Sequence, residues 1–117
     1  MHARSRFGAA GEDLAADYLQ GMGFEVVARN YHCAVGEIDV VAMKGRLLVF
    51  CEVKTRTGDA FGFPAEAVGY AKQARLKRLA ANWLTEHKPG AVDIRFDVVS
   101  VIFRNGTGEV SHIPDAF

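Results

Sequence analysis

Apolar residues recur at steps of three and four over residues 5–22, where Phe7, Ala10, Leu14, Tyr18 and Met22 fall on one face. That spacing predicts an amphipathic helix, with Ser5 as its N-cap and Gly21 and Gly23 marking its end. The period then changes. Phe24–Asn30 (FEVVARN), Glu37–Met43 (EIDVVAM) and Leu47–Thr55 (LLVFCEVKT) are β-branched, apolar stretches of strand length. Lys44-Gly45-Arg46 supplies a turn between the last two, which makes them an antiparallel hairpin. Both carry apolar residues on both faces, so the hairpin belongs in the middle of its sheet. Residues 56–64 (RTGDAFGFP) read as a mobile loop. Helical spacing returns over Ala65–His87, with a stripe of Leu76, Leu79, Ala80, Trp83 and Leu84. Gly69 weakens its first turns, and Pro89-Gly90 ends it. Ile94–Phe103 is a further strand, Asn105-Gly106 and Gly108 a turn, and Glu109–Ile113 a short last strand. The order αβββαββ predicts an α/β fold, a mixed central sheet flanked by helices.

A chain of 117 residues is expected to form one domain over its whole length, residues 1–117. Half of it is hydrophobic (50%) and 24% is charged, which is ordinary for a globular protein. No apolar run reaches the roughly 20 residues of a membrane span. The first residues lack the apolar core of a signal peptide, so a cytoplasmic location is expected. The formal net charge is zero, and bulk charge gives nucleic-acid binding no support. Of the two cysteines, Cys51 sits within LLVFCEV and reads as a small buried hydrophobe. Cys33 follows His32, but no second spaced pair of ligands completes a zinc site.

The informative segment is GEIDVVAMKGRLLVFCEVKTR, residues 36–56. Side chains alternate along a strand, so Glu52 and Lys54 share a face. A two- or four-residue connection puts Asp39 on that face, opposite Glu52 in one register and opposite Phe50 in another. A three-residue connection without a bulge sends it to the other face. Charges are depleted from apolar strands, and an unpaired buried charge costs several kcal/mol. A divalent cation is a natural partner for Asp39 and Glu52. Carboxylate oxygens suit Mg2+ or Mn2+ better than zinc, and the backbone carbonyl of Val53 offers another oxygen. Such an ion acidifies bound water and polarises a phosphoryl oxygen. Lys54 beside it would orient the attacking water and offset transition-state charge. The plainer alternative is a salt-bridged hairpin in which Lys54 neutralises one carboxylate; short motifs of this kind are frequent by chance. No Ser-His or Cys-His spacing suggests covalent catalysis.

GEIDVVA, LLVFCEVKTR, KQARLKRLAANWL and RFDVVSV, in this order, resemble the YraN-type uncharacterised bacterial family over nearly the whole chain. That family is similar to archaeal Holliday-junction resolvases within the PD-(D/E)xK nuclease superfamily. The resemblance implies a restriction-endonuclease-like fold, with Asp39, Glu52 and Lys54 at the positions of the catalytic motif. Ile38 stands where the motif name has proline, a departure many members share. It also implies that Glu12, on the first helix, completes the metal shell; otherwise Glu12 is an ordinary surface residue. Glu37 is shared with the YraN-type family and is either a ligand or a supporting group. Lys72 and Gln73 resemble helix residues that support the site in related nucleases. The resolvase likeness suggests a homodimer that cuts two strands symmetrically.

Local charge adds one more expectation. Between Ala67 and Thr85 the chain holds Lys72, Arg75, Lys77 and Arg78 and no acid. With Arg56, and with Gln73 among them, they form a candidate surface for DNA phosphates, or else a solvated helix face. Trp83 lies in the apolar stripe and reads as core, and Asp97 reads as a structural partner of Arg95. The expected function is metal-dependent endonucleolytic hydrolysis of DNA, branched DNA included. The alternative is a non-catalytic nucleic-acid-binding or adaptor module on a nuclease fold.

Overall fold

A computed structural model describes residues 6–58 and 68–117 of the chain, and the side chains of all of these but Arg6 and Phe7. The elements in order are α1 (Arg6–Gly21), β1 (Glu25–Cys33), β2 (Gly36–Lys44), β3 (Leu47–Thr57), α2 (Tyr70–His87), β4 (Asp93–Arg104) and β5 (Thr107–Ile113). The strands form one sheet in the order β1-β2-β3-β4-β5. Neighbours are antiparallel except β3 and β4, which run parallel across the α2 crossover. This is a mixed sheet flanked by two helices, consistent with a restriction-endonuclease-like fold. The hairpin of β2 and β3 is interior, as apolar residues on both its faces require.

Each face of the sheet has its own core. On one, Ala15 and Leu19 of α1 pack against Val40, Ala42, Val49, Cys51, Val99 and Val101. On the other, Leu76, Leu79, Ala80 and Trp83 of α2 pack against Val41, Leu48, Phe50 and Val98. Alternation along β3 therefore assigns odd positions to α1 and even positions to α2. Glu52, Lys54 and Arg56 continue the even set. No helix among the described residues is long and apolar enough to cross a membrane.

Several boundaries differ from the pattern reading. β1 runs three residues past Asn30, because Tyr31, His32 and Cys33 continue the pairing with Ile38, Glu37 and Gly36. Arg56 and Thr57 belong to β3 rather than to a loop, held by pairing with Ile102 and Phe103. α2 begins at Tyr70, and Gly69 is its extended N-cap, with φ −65° and ψ 159°, rather than a weak point within it. Glycine's low helix propensity makes it a natural boundary. Ser5, the stretch 59–64 and the start of the expected helix at 65–67 lie outside the described residues.

Candidate functional site

The site begins with the β2–β3 turn. Its connection is two residues, Gly45-Arg46, and Gly45 takes φ +60°, as a primed hairpin turn needs. Backbone pairing runs from Lys44 and Leu47 to Val40 and Cys51. One step further, the same register sets Asp39 against Glu52. There the ladder stops, and the Asp39 side chain takes over the pairing: the Val53 N–H donates to its Oδ2 at 2.7 Å. A strand N–H points along the plane of its sheet. The Asp39 carboxylate therefore lies between the two strands, within reach of both helical layers. Val53 enters the site through this N–H.

Three further carboxylates approach it. Glu12 is 7% exposed on α1. It is brought close by Gly11, where an added Cβ would collide with the Thr55 side chain of β3. Glu37 lies two residues before Asp39 on β2, half-buried. One oxygen each from Glu12, Glu37 and Asp39 lie within 4.8 Å of one another. Glu52, 8% exposed, lines the same cleft as Glu37 and Asp39, and its carboxylate pairs with Lys72 Nζ. Burial pushes the Asp39 carboxyl up; the Val53 N–H pulls it back, and the charges of Glu52 and Glu12 push it further, to about 7. Lys54 is half-buried on β3, two residues beyond Glu52 on the same face.

Glu37, Asp39 and Glu52 form the floor of a cleft of about 620 Å³. One wall is the β1–β2 hairpin, with His32, Cys33, Val35 and Gly36; the other is α2, with Lys72, Arg75 and Leu76. Gly36, at φ +155°, leaves room for the Arg75 stem and Leu79, either of which a Cβ there would crowd. The expected phosphate-contacting residues separate into different roles. Lys72 and Arg75 face the cleft, and Arg78 is exposed one turn on. Gln73 serves its own helix: Nε2 donates to the Val68 carbonyl at 2.7 Å, and its N–H donates to that of Gly69 at 2.9 Å. Arg56 is half-buried on the Glu52 face of β3.

Sequence reasoning missed the Lys72–Glu52 pair and the place of His32 and Cys33 on the cleft wall. The pair joins residues twenty apart through tertiary packing, and no periodicity signals it. The β1–β2 hairpin, read directly across from Glu37 and Asp39, would have located His32. Elsewhere, Asp97 is structural. Arg95 donates to both its oxygens at 2.8 and 2.9 Å, and the Asp115 N–H donates to Oδ1 at 3.0 Å. His112 Nε2 lies 2.7 Å from Oδ2, and its Nδ1 lies 3.0 Å from the Tyr18 hydroxyl. The Cys51 thiol is buried in the α1-side core, and burial first, then nearby carboxylates, push its pKa well up; it is no nucleophile.

Comparison with known proteins places these residues in a family context. The model of Uncharacterised protein family UPF0102 matches residues 11–101, a span that holds every residue of the acidic cluster, Lys54 and Lys72. A UPF0102 protein of Beutenbergia cavernae is 51% identical over 114 residues, covering 97% of each chain. One of Mycolicibacterium vanbaalenii is 52% identical over 112 residues, 95% of this chain and 93% of its own. One of Frankia casuarinae is 48% identical over the whole of both chains. On the family match and these full-length likenesses, the chain belongs to Uncharacterised protein family UPF0102, the YraN-type family.

Proposed function

We propose that the protein is a Mg2+- or Mn2+-dependent phosphodiester hydrolase that acts on DNA, branched DNA included. The observation that carries this reading is the convergence of Glu12, Glu37 and Asp39, with oxygens within 4.8 Å, beside the buried Glu52. Like charges gathered at that spacing repel, and a bound cation offsets them where a proton otherwise would. The donors are all carboxylate oxygens, which fit a hard divalent ion. Glu12, Asp39 and Glu52 would hold it, with Glu37 as a further ligand or a support. When bound, the ion would supply Lewis acidity to a phosphoryl oxygen and make water a stronger acid.

The chain's own residues supply the rest. The Val53 N–H fixes the Asp39 carboxylate in the gap between strands, so the floor of the cleft is set before substrate arrives. Lys54 Nζ, on the Glu52 face, donates to the attacking water and offsets charge on the phosphoryl oxygens. Arg75 and Arg78 approach the backbone of a duplex from α2. The likeness to the PD-(D/E)xK nucleases supports these roles. So does electrostatics: four carboxylates on a phosphate path would repel it unless a cation intervened. A homodimer would present two such sites to two strands.

The test is purified protein with Mn2+ or Mg2+ against linear, flapped and four-way DNA, beside Asp39→Asn and Lys54→Ala. Cleavage by the wild type that falls at least about 100-fold in both variants is expected, the scale of a lost transition-state contact. A wild type that cuts none of these, or variants that cut as well, would refute hydrolysis. DNA binding that survives Asp39→Asn with no divalent-ion binding by the wild type would instead mark a binding module.

A further inference from the structure

Lys72 and Glu52 make an asymmetric ion pair. The Lys72 side chain is 40% exposed, whereas that of Glu52 is 9% exposed. The lysine is also placed against the interest of its own helix. It stands in the first turn of α2, which holds no acidic residue and whose Gly69 N-cap makes no side-chain hydrogen bond. The positive end of a helix dipole disfavours an ammonium group. The partner that favours Lys72 at this position is Glu52, across the cleft floor.

From this geometry we infer that Lys72 is a tethered cation that holds Glu52 until a divalent ion binds, and then gives way and turns to the substrate phosphate. The inference rests on the metal reading above and adds a role to it. Glu52 is fixed in the interior of β3 and has nowhere to go. Lys72 sits on a flexible four-carbon stem at the cleft rim, and its ammonium group is readily hydrated. An exchange therefore moves the lysine and leaves the carboxylate in place. Once released, Nζ stays on the α2 wall beside Arg75, facing Asp39 and Glu52 across the cleft. That is where a phosphodiester bound at the carboxylates would present its free oxygens. Lys72 is thus a positioning residue, distinct in task from Lys54.

A competitor leaves a signature that a ligand or a structural residue does not: its removal tightens metal binding. The experiment titrates Mn2+ into chelator-stripped full-length protein, followed by calorimetry and by the electron paramagnetic resonance signal of free Mn2+. Wild type, Lys72→Met and Lys88→Met are compared; Lys88 is an exposed lysine at the far end of α2. Lys72→Met is expected to bind Mn2+ about two- to fivefold more tightly, the scale of a partly exposed ion pair. Lys88→Met is expected to match the wild type. Unchanged or weaker binding by Lys72→Met overturns the exchange while leaving the metal site standing. An equal gain in both variants also overturns it, because the effect is then general charge removal. Absence of Mn2+ binding in all three refutes the metal reading itself, and the exchange with it.

Discussion

Asp39 shows how one side chain can serve both fold and site. It replaces a backbone rung through the Val53 N–H, and burial with two neighbouring carboxylates holds its pKa near 7. A carboxyl whose folded pKa lies above its unfolded value stabilises the fold fully below that unfolded value. The contribution fades as pH rises through about 7. Thermal melts in chelator should therefore show wild-type stability falling between about pH 4 and pH 7 and levelling off above that. Asp39→Asn should flatten that slope and melt higher than the wild type at the upper end; an unchanged slope would count against the shift. Glu37 gives a second prediction. It lies in the carboxylate cluster with Glu12 and Asp39, so Glu37→Gln should weaken Mn2+ binding about 10- to 100-fold, read by calorimetry. The shared face of Glu52 and Lys54 was legible in the sequence because strand alternation is a strict period of two, whereas the face of Asp39 hung on the hairpin register. Alternation put Glu37 on the Asp39 face, but ligand and supporting group remained open, because a period of two gives a face and not a distance.

The β2–β3 hairpin and α1 bring the charges together. The sequence narrowed the hairpin to a few registers, and the two-residue turn at Gly45 settled which one. Bringing α1 close was less visible. Gly11 looks like an ordinary helix-interior glycine, yet it is where α1 touches Thr55 of β3. Gly11→Val should push α1 outward and draw Glu12 away from Asp39. A lower melting temperature together with weaker Mn2+ binding is expected; a helix that absorbs the change with neither effect would show that Glu12 is not placed by this contact. Val68 and Gly69 were read into α2 but precede its first residue, Tyr70, because apolar periodicity does not see an N-cap. Its core stripe was read well, since Leu76, Leu79, Ala80 and Trp83 are all buried. Leu79, fully buried, should cost about 2–5 kcal/mol on replacement by alanine, measured by urea unfolding.

At the scale of the molecule, a buried polar network ties together elements far apart in sequence. Asp97 on β4 joins Arg95, His112 on β5 and the Asp115 N–H, and His112 reaches Tyr18 on α1. Burial pushes the Asp97 carboxyl up, but the hydrogen bonds from Arg95, Asp115 and His112 outweigh it and hold it below the usual range. A depressed carboxyl stabilises the fold above its unfolded value and loses that contribution as pH falls through the folded one. Acid should therefore unfold the protein through Asp97, the opposite sign to Asp39. The metal-free protein should be most stable where the two windows meet, around pH 4. Asp97→Ala leaves Arg95 and His112 without their partner, and it should cost about 3–5 kcal/mol at pH 7. A loss under about 1 kcal/mol in denaturant unfolding would show that the network contributes little.

Local pattern in the chain was enough for the order of elements, the interior place of the hairpin, the two apolar faces and the shared face of Glu52 and Lys54. All of these follow from short-range periods, 3.6 for helices and 2 for strands, which each residue carries with its neighbours. Packing set where β2 parts from β3, how Asp39 comes to lie in that gap, and that α1 and α2 deliver Glu12 and Lys72 to it from opposite layers. Those placements depend on distances between segments far apart in the chain, set by how closely two helices pack on one twisted sheet.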